Sequence, residues 1–172
     1  MDDNRKYAIP FAAAIIERQH EGKLQFLIQV RNHKNTESIY NGTLEFAAGS
    51  LDKLYENIYE TLNREVMEET GLTVSQIIND DKTEVFSPQQ SDAVFGFRPF
   101  CCTQQLKDGR PWIGLIFRCN VEPGEPRAQD GENQDVEWMD ASEFKKIFVN
   151  NPEKIFSVEY PAWDYYFKEV DV

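Results

Sequence analysis

The sequence predicts an α/β sandwich, and three observations predict it. Leu24, Phe26, Ile28 and Val30 alternate with Gln25, Gln29 and Arg31, and Ile113, Leu115, Phe117, Cys119 and Val121 alternate with Gly114, Ile116, Arg118 and Asn120. Such period-two runs are half-buried strands, whose side chains point alternately to a core and to solvent. Between them, from Glu56 to Gly71, apolar residues recur at helical spacing, and two more helical stretches close the chain. Strands on both sides of one helix, followed by helices, make a layered α/β domain.

Each element has a local reason. Tyr7 to Glu17 is apolar and strand-like and His20-Glu21-Gly22 is a turn, so with the run from Leu24 they predict an antiparallel hairpin in which only Leu27 is out of pattern. Asn32 to Asn41 is a polar loop, and Thr43 to Ala47 a short strand. The helix from Glu56 places Tyr55, Tyr59, Leu62 and Val66 on one apolar stripe, and Gly71 stands where a left-handed C-cap ends it. Val74 to Thr83 carries little pattern, Val85-Phe86 marks a strand edge, and Ser87-Pro88-Gln89-Gln90-Ser91-Asp92 is a loop. Phe95 to Cys102 is extended, with Pro99 favouring an edge or bulge, and Asp108-Gly109 suits a hairpin turn. Glu122 to Asp135 is a polar loop, Val136 to Met139 resumes a strand, and Ala141 to Val149 is a helix capped by Asp140 or Ser142. Pro161 suits the first turn of a last helix through Phe167. The aromatics of that helix read as core packing, with a nucleobase platform as the competing reading and a subunit interface, and so a homodimer, as a further one.

Composition excludes several functions. At 172 residues the chain fits one domain, 1–172, large enough to bury a core without disulfides. Thirty acidic against 18 basic residues give a formal charge of −12, the wrong sign for duplex nucleic acid or an anionic membrane. Cys101, Cys102 and Cys119 are odd in number, without CxxC spacing, and read as reduced cysteines of a cytoplasmic protein. Nothing in the sequence has the length and apolarity of a signal peptide or membrane span. His20 and His33 are isolated and read as surface residues.

The chemistry concentrates in one stretch, Arg64-Glu65-Val66-Met67-Glu68-Glu69-Thr70-Gly71-Leu72. On a helix Glu65, Glu68 and Glu69 stand at i, i+3 and i+4, with Cβ atoms roughly 5–6 Å apart on one face. Their mutual repulsion is relieved by a divalent cation, and magnesium suits an all-oxygen ligand set that it shares with water and substrate phosphates. The competing reading is a solvated acidic helix face. At average residue usage, however, this string of arginine, acids, aliphatics and glycine arises by chance in roughly one chain of this length in 10⁵.

The stretch resembles the signature of the Nudix (MutT-like) hydrolases, G-x5-E-x7-R-E-U-x-E-E-x-G-U with U aliphatic. Glu56 matches the first glutamate, and Arg64-Glu65-Val66, Glu68-Glu69 and Gly71-Leu72 the rest. The leading glycine falls on Ser50, while Gly49 matches the first of the two adjacent glycines common in the family. The resemblance implies a Nudix-type α/β/α sandwich with a mixed β-sheet and the signature as loop–helix–loop. It also implies Mg2+, with Mn2+ as the alternative, held by the Gly49 carbonyl, Glu65, Glu68 and Glu69. Catalytic roles fall to Glu65, to Arg64 as orienting partner of the signature glutamates, and to Glu132 in the loop before Trp138. Glu132 is also a metal ligand in this scheme, with Asp130 and Asp135 as runners-up.

The implied reaction is water attack on the diphosphate of a nucleoside diphosphate linked to another moiety, ADP-ribose-like or nucleotide-sugar-like. Pro88, sixteen residues past Leu72, and Asp92 are the corresponding substrate-pocket residues. A nucleoside-triphosphate pyrophosphohydrolase of the housecleaning type is the alternative. A catalytically inactive, ligand-sensing module stands behind both, because the chain keeps all four signature glutamates. In every case the partner is a small nucleotide-like molecule.

Overall fold

β1 (Ile9–His20) turns at Glu21-Gly22 into β2 (Lys23–Arg31), both turn residues taking positive φ. The computed structural model describes residues 7–32, 39–89, 91–107, 110–128 and 133–170. The hairpin is the expected one, but its strands pair only from Glu17↔Phe26 to His20↔Lys23 and then part. Into the fork come β3 (Leu44–Glu45), antiparallel to β2, and β4 (Ala47–Ser50), antiparallel to β1. The single strand expected over Thr43–Ala47 is therefore two. Once β1 and β2 have diverged neither edge can hold the whole segment, and the chain changes partner at Phe46.

α1 (Ile58–Thr70) follows, then β5 (Val74–Ile77), β6 (Asp81–Lys82), β7 (Phe97–Arg98), β8 (Cys101–Gln104), β9 (Trp112–Val121) and β10 (Asn133–Asp140). β9 runs parallel to β1, carries β8 and β5 antiparallel on its other edge, and β10 lies antiparallel to β2. The main sheet, in the order β10-β2-β1-β9-β5, is thus mixed, and β6 and β7 form a separate ribbon. Val85-Phe86 is not a strand; Phe86 makes only an isolated bridge to Val94. α2 (Ala141–Asn150), a 3-10 turn at Pro152–Lys154 and α3 (Tyr160–Glu169) complete the described chain. The Asp108-Gly109 turn and His33 lie outside the described residues.

Two cores sandwich the sheet. Phe11, Ala13 and Ile15 of β1 join Phe26, Phe144, Trp163 and Tyr166 on the α2–α3 side, while Ala12, Ala14 and Ile16 join Leu62, Val66 and Phe117 on the α1 side. Strands covered on both faces lose the in–out alternation of an exposed sheet. That explains two departures from the expected pattern: Leu27 is buried against α1, and Ile116, placed with the polar residues of its strand, is fully buried. Cys119 is a core residue, as its spacing predicts.

α1 is held at both ends. Asn57 caps it, its Oδ1 accepting from the Tyr59 amide at 2.9 Å, and Gly71 ends it at φ 71°, its amide donating to Met67 O. The buried stripe is Ile58, Leu62 and Val66, flanked by Thr61 and Thr70. Each fully buried aliphatic side chain contributes about 1.5–3 kcal/mol. Tyr55 does not belong to this stripe. It precedes the cap, takes φ 61° and is 95 % exposed.

The C-terminal half departs in two places. β10 begins at Asn133 rather than Val136, with an irregular register between Gln134 and Glu137 where Asp135 takes φ 53°. Asp140 precedes α2 but makes no side-chain cap; its carboxylate is committed to Lys23 at 2.7 Å and Gln25 at 2.9 Å. Pro161 lies in the first turn of α3 as expected. Among the described residues no helix is long and apolar enough to cross a membrane.

Candidate active site

α1 faces the sheet with its aliphatic stripe and turns Arg64, Glu65, Glu68 and Glu69 toward β4 and solvent. Arg64 is the hub of the outer group. Its Nη1 donates to Glu65 at 2.5 Å and to Glu68 at 3.1 Å, and its Nη2 donates to Glu56 at 3.3 Å. The i,i+4 mate expected for Arg64 is thus present. Burial alone would lower the Arg64 pKa, but Glu65, Glu68 and Glu56 outweigh it and raise it. For Glu56 burial pushes upward, yet the Lys53 amide and Arg64 prevail and hold it below the ordinary carboxylate range.

Glu65 and Glu69 differ from Glu68, which is exposed. Burial pushes the Glu65 carboxyl up, aided by Glu68 and Asp52 and opposed by Arg64. The Glu69 carboxylate turns into the fork between β1 and β2. Its Oε2 accepts from Gln29 Nε2 at 2.9 Å and from the Ala48 amide at 3.0 Å. Burial and the neighbouring Glu45 push its pKa to about 8, although Gln29 and the Ala48 amide favour the charged form.

Gly49 is a residue of close approach. It pairs with Ala12, and a Cβ built on it would lie 1.8 Å from Cδ of Glu65. A residue without a side chain leaves the Glu65 carboxyl free to lie this close to the backbone of β4. Ser50, where the signature has its leading glycine, lies in β4 opposite Phe11.

The other expected site residues are placed less centrally. Glu132 and Asp130 lie outside the described residues, and Asp135 is exposed at the β10 irregularity. Pro88 and Asp92 sit on the exposed excursion between β6 and β7, where Asp92 accepts from the Gln89 amide at 3.1 Å. Among the described residues neither Pro88 nor Asp92 bonds to the α1 carboxylates.

Sequence reasoning missed four residues around Glu69. Gln29, on the polar face of its alternating strand, is 2 % exposed and lies beneath α1. Asn133 donates to Gln29 Oε1 at 3.0 Å, Glu45 binds Arg31 at 2.7 Å, and buried Glu159 accepts from the Phe46 amide at 2.9 Å. A period-two pattern assigns a face to Gln29 but not the helix that covers it. The remaining three are brought in from distant segments, and no local spacing marks them.

Among known families, one matches most of the length of this chain. The NUDIX domain profile covers residues 8–158. The chain belongs to the NUDIX family. Solved structures agree on the fold of this NUDIX domain. The NUDIX domain of Shewanella oneidensis NrtR, complexed with ADP ribose, aligns with TM-score 0.66 and 10 % identity over 99 % of this chain and 94 % of that one. A MutT protein from Methanosarcina mazei Go1 aligns with TM-score 0.62 and 18 % identity over 95 % and 96 %. A NUDIX hydrolase from Nitrosomonas europaea aligns with TM-score 0.60 and 18 % identity over 94 % and 90 %. No curated protein sequence matches significantly.

NUDIX hydrolases generally use divalent metals, and the donors here can be tested against one. Among the described residues no three His, Cys, Asp or Glu side chains converge into a ready cage. Magnesium does not require one, since it keeps several waters and takes one or two carboxylates plus substrate oxygens. Glu65 and Glu69 are acid groups of raised pKa, crowded by other carboxylates, and Gly49 is kept bare beside Glu65. A hard cation is the charge such oxygens lack, so the donor set fits in kind.

Proposed function

We propose that this NUDIX domain is a magnesium-dependent hydrolase of a nucleoside diphosphate linked to another moiety, releasing a nucleoside monophosphate and a phosphorylated remainder. The observation that carries the reading is the approach of bare Gly49 to Glu65, with Glu69 bonded to the Ala48 amide of the same strand. In this reading Gly49 O, Glu65, Glu68 and Glu69 hold the metal, with Glu132 as a further ligand or the base. Bound magnesium would supply charge neutralisation of the diphosphate and lower the pKa of its water.

The chain's own groups do the rest. Arg64 holds Glu65 and Glu68 in register, so their carboxylates need no reorganisation when charge builds on the phosphates. Either Glu65 of this cluster or Glu132, carried over from the family position, is proposed to take the proton of the attacking water. Pro88 and Asp92 are proposed to shape the leaving-group pocket. The ADP ribose bound by the NrtR domain falls within the substrate class, while the shared fold says nothing finer at that identity.

The test is a magnesium-supplemented panel of ADP-ribose, nucleotide sugars, dinucleotides, coenzymes and nucleoside triphosphates, with products identified by mass. Cleavage inside the diphosphate, lost on chelation, is expected. Pyrophosphate release confined to triphosphates would establish the housecleaning alternative, and ligand binding without turnover would establish a sensing module.

A further inference from the structure

We propose that Gln29 and Asn133 are positioning residues that orient Glu69 toward a metal ion, an inference that rests on the metal-binding reading of Glu69. Gln29 stands in the interior of β2 and is 2 % exposed; Asn133 opens β10 and is 5 % exposed. A buried side-chain amide is costly unless its donors and acceptor are used. Here each end of Gln29 is used. Its Oε1 accepts from Asn133 Nδ2 at 3.0 Å, and its Nε2 donates to Glu69 Oε2 at 2.9 Å.

The amide of Gln29 is thereby locked, because Asn133 recognises its carbonyl end and leaves its NH2 end for the carboxylate. Asn133 Nδ2 also reaches the backbone carbonyl of Glu69 at 3.4 Å, tying the start of β10 to the last turn of α1. The Ala48 amide gives Glu69 Oε2 its second donor at 3.0 Å. Among the described residues no donor reaches Glu69 Oε1. Among these residues Oε2 takes both neutral N–H donors and Oε1 takes none.

The neutrality of these donors is the telling feature. A lysine or arginine at position 29 would also fix the carboxylate, but it would neutralise the charge and compete with a cation for it. An amide orients the carboxyl group without placing a competing positive charge beside it. Arg64, by contrast, spends its guanidinium on Glu56, Glu65 and Glu68 and makes no hydrogen bond to Glu69. Hydrogen-bond partners of a ligating carboxylate typically control metal affinity by 10–100-fold.

The test measures Mn2+ binding to the substrate-free protein by the loss of the free-ion electron paramagnetic resonance signal, beside thermal unfolding. Gln29→Met keeps length and packing but removes both hydrogen bonds, and it is expected to weaken Mn2+ binding roughly 10–100-fold. Asn133→Ala, which leaves Gln29 unanchored, is expected to weaken it less, and the double variant no more than Gln29→Met alone. A folded Gln29→Met protein with wild-type affinity overturns the proposal. Should Gln29→Met fail to fold, Asn133→Ala decides, and unchanged affinity there overturns it equally. Glu69→Gln separates this outcome from failure of the underlying reading: if that variant binds Mn2+ as wild type does, Glu69 is no ligand and both fall. A purely structural network would shift the unfolding midpoint and leave affinity unmoved.

Discussion

Glu69 and Gly49 show how much a single residue can carry here. Glu69 is half-buried and its Oε2 accepts from two N–H groups, so an amide replacement retains an oxygen for them. Glu69→Gln is therefore expected to fold and to lose roughly 10²-fold or more in turnover, because a charge aimed at the metal is gone. Near-normal magnesium-dependent activity in that variant would remove Glu69 from the site. Gly49→Ala acts in the opposite direction, by adding an atom. The new Cβ meets the carboxyl end of Glu65, which is the far end of a flexible chain and can swing aside. Stability should fall little, while displacing Glu65 by an ångström or more should reduce kcat roughly 10²-fold. Unfolding curves and steady-state kinetics on one preparation separate the two effects.

At the scale of elements, the forked hairpin and the start of α3 together place the strand that faces α1. Glu159, the residue before α3, is 1 % exposed and accepts the Phe46 amide at the point where β3 gives way to β4. Burial, aided by the like charge of Glu45, raises its pKa well above the ordinary carboxylate value of 4.5, against the Phe46 amide and Arg31. The folded chain therefore holds a proton here that the unfolded chain releases near pH 4.5. Its stabilising effect is complete below that pH and is lost as pH rises toward the folded value. Glu159→Gln, which cannot ionise, should flatten the decline of the unfolding temperature above pH 5 relative to wild type. Parallel curves for the two proteins would show that Glu159 does not titrate between the states.

Across the whole molecule, one buried group joins the sheet to the α2–α3 layer. The Tyr166 hydroxyl of α3 donates to Glu17 of β1, whose carboxylate also accepts from Arg118 of β9, 2.8 Å away at Nη2. Burial and Glu17 both push the Tyr166 pKa upward, so the phenol remains a donor across the working pH range. Tyr166→Phe removes a hydrogen bond to a charged acceptor, worth about 1.5–3 kcal/mol. The unfolding temperature should drop by several degrees, while the Mn2+ affinity stays at the wild-type value. A variant as stable as wild type would show Arg118 alone satisfies Glu17.

The sequence by itself determined the α1 signature helix, its Gly71 stop, the β1–β2 hairpin, the β9 strand and the family, because each is written in local spacing. Helical period, turn chemistry and alternation act over a few residues and survive without knowledge of neighbours. Tertiary structure alone decided that Tyr55 leaves the apolar stripe, that Ile116 and Leu27 are buried, and that Thr43–Ala47 splits at Phe46. It alone brought Gln29, Ala48 and Asn133 to Glu69, residues 40, 21 and 64 positions away along the chain. The physical reason is common to all of these: burial on two faces and hydrogen bonds between distant segments depend on which elements pack together, and a period read along one segment carries no record of its partner.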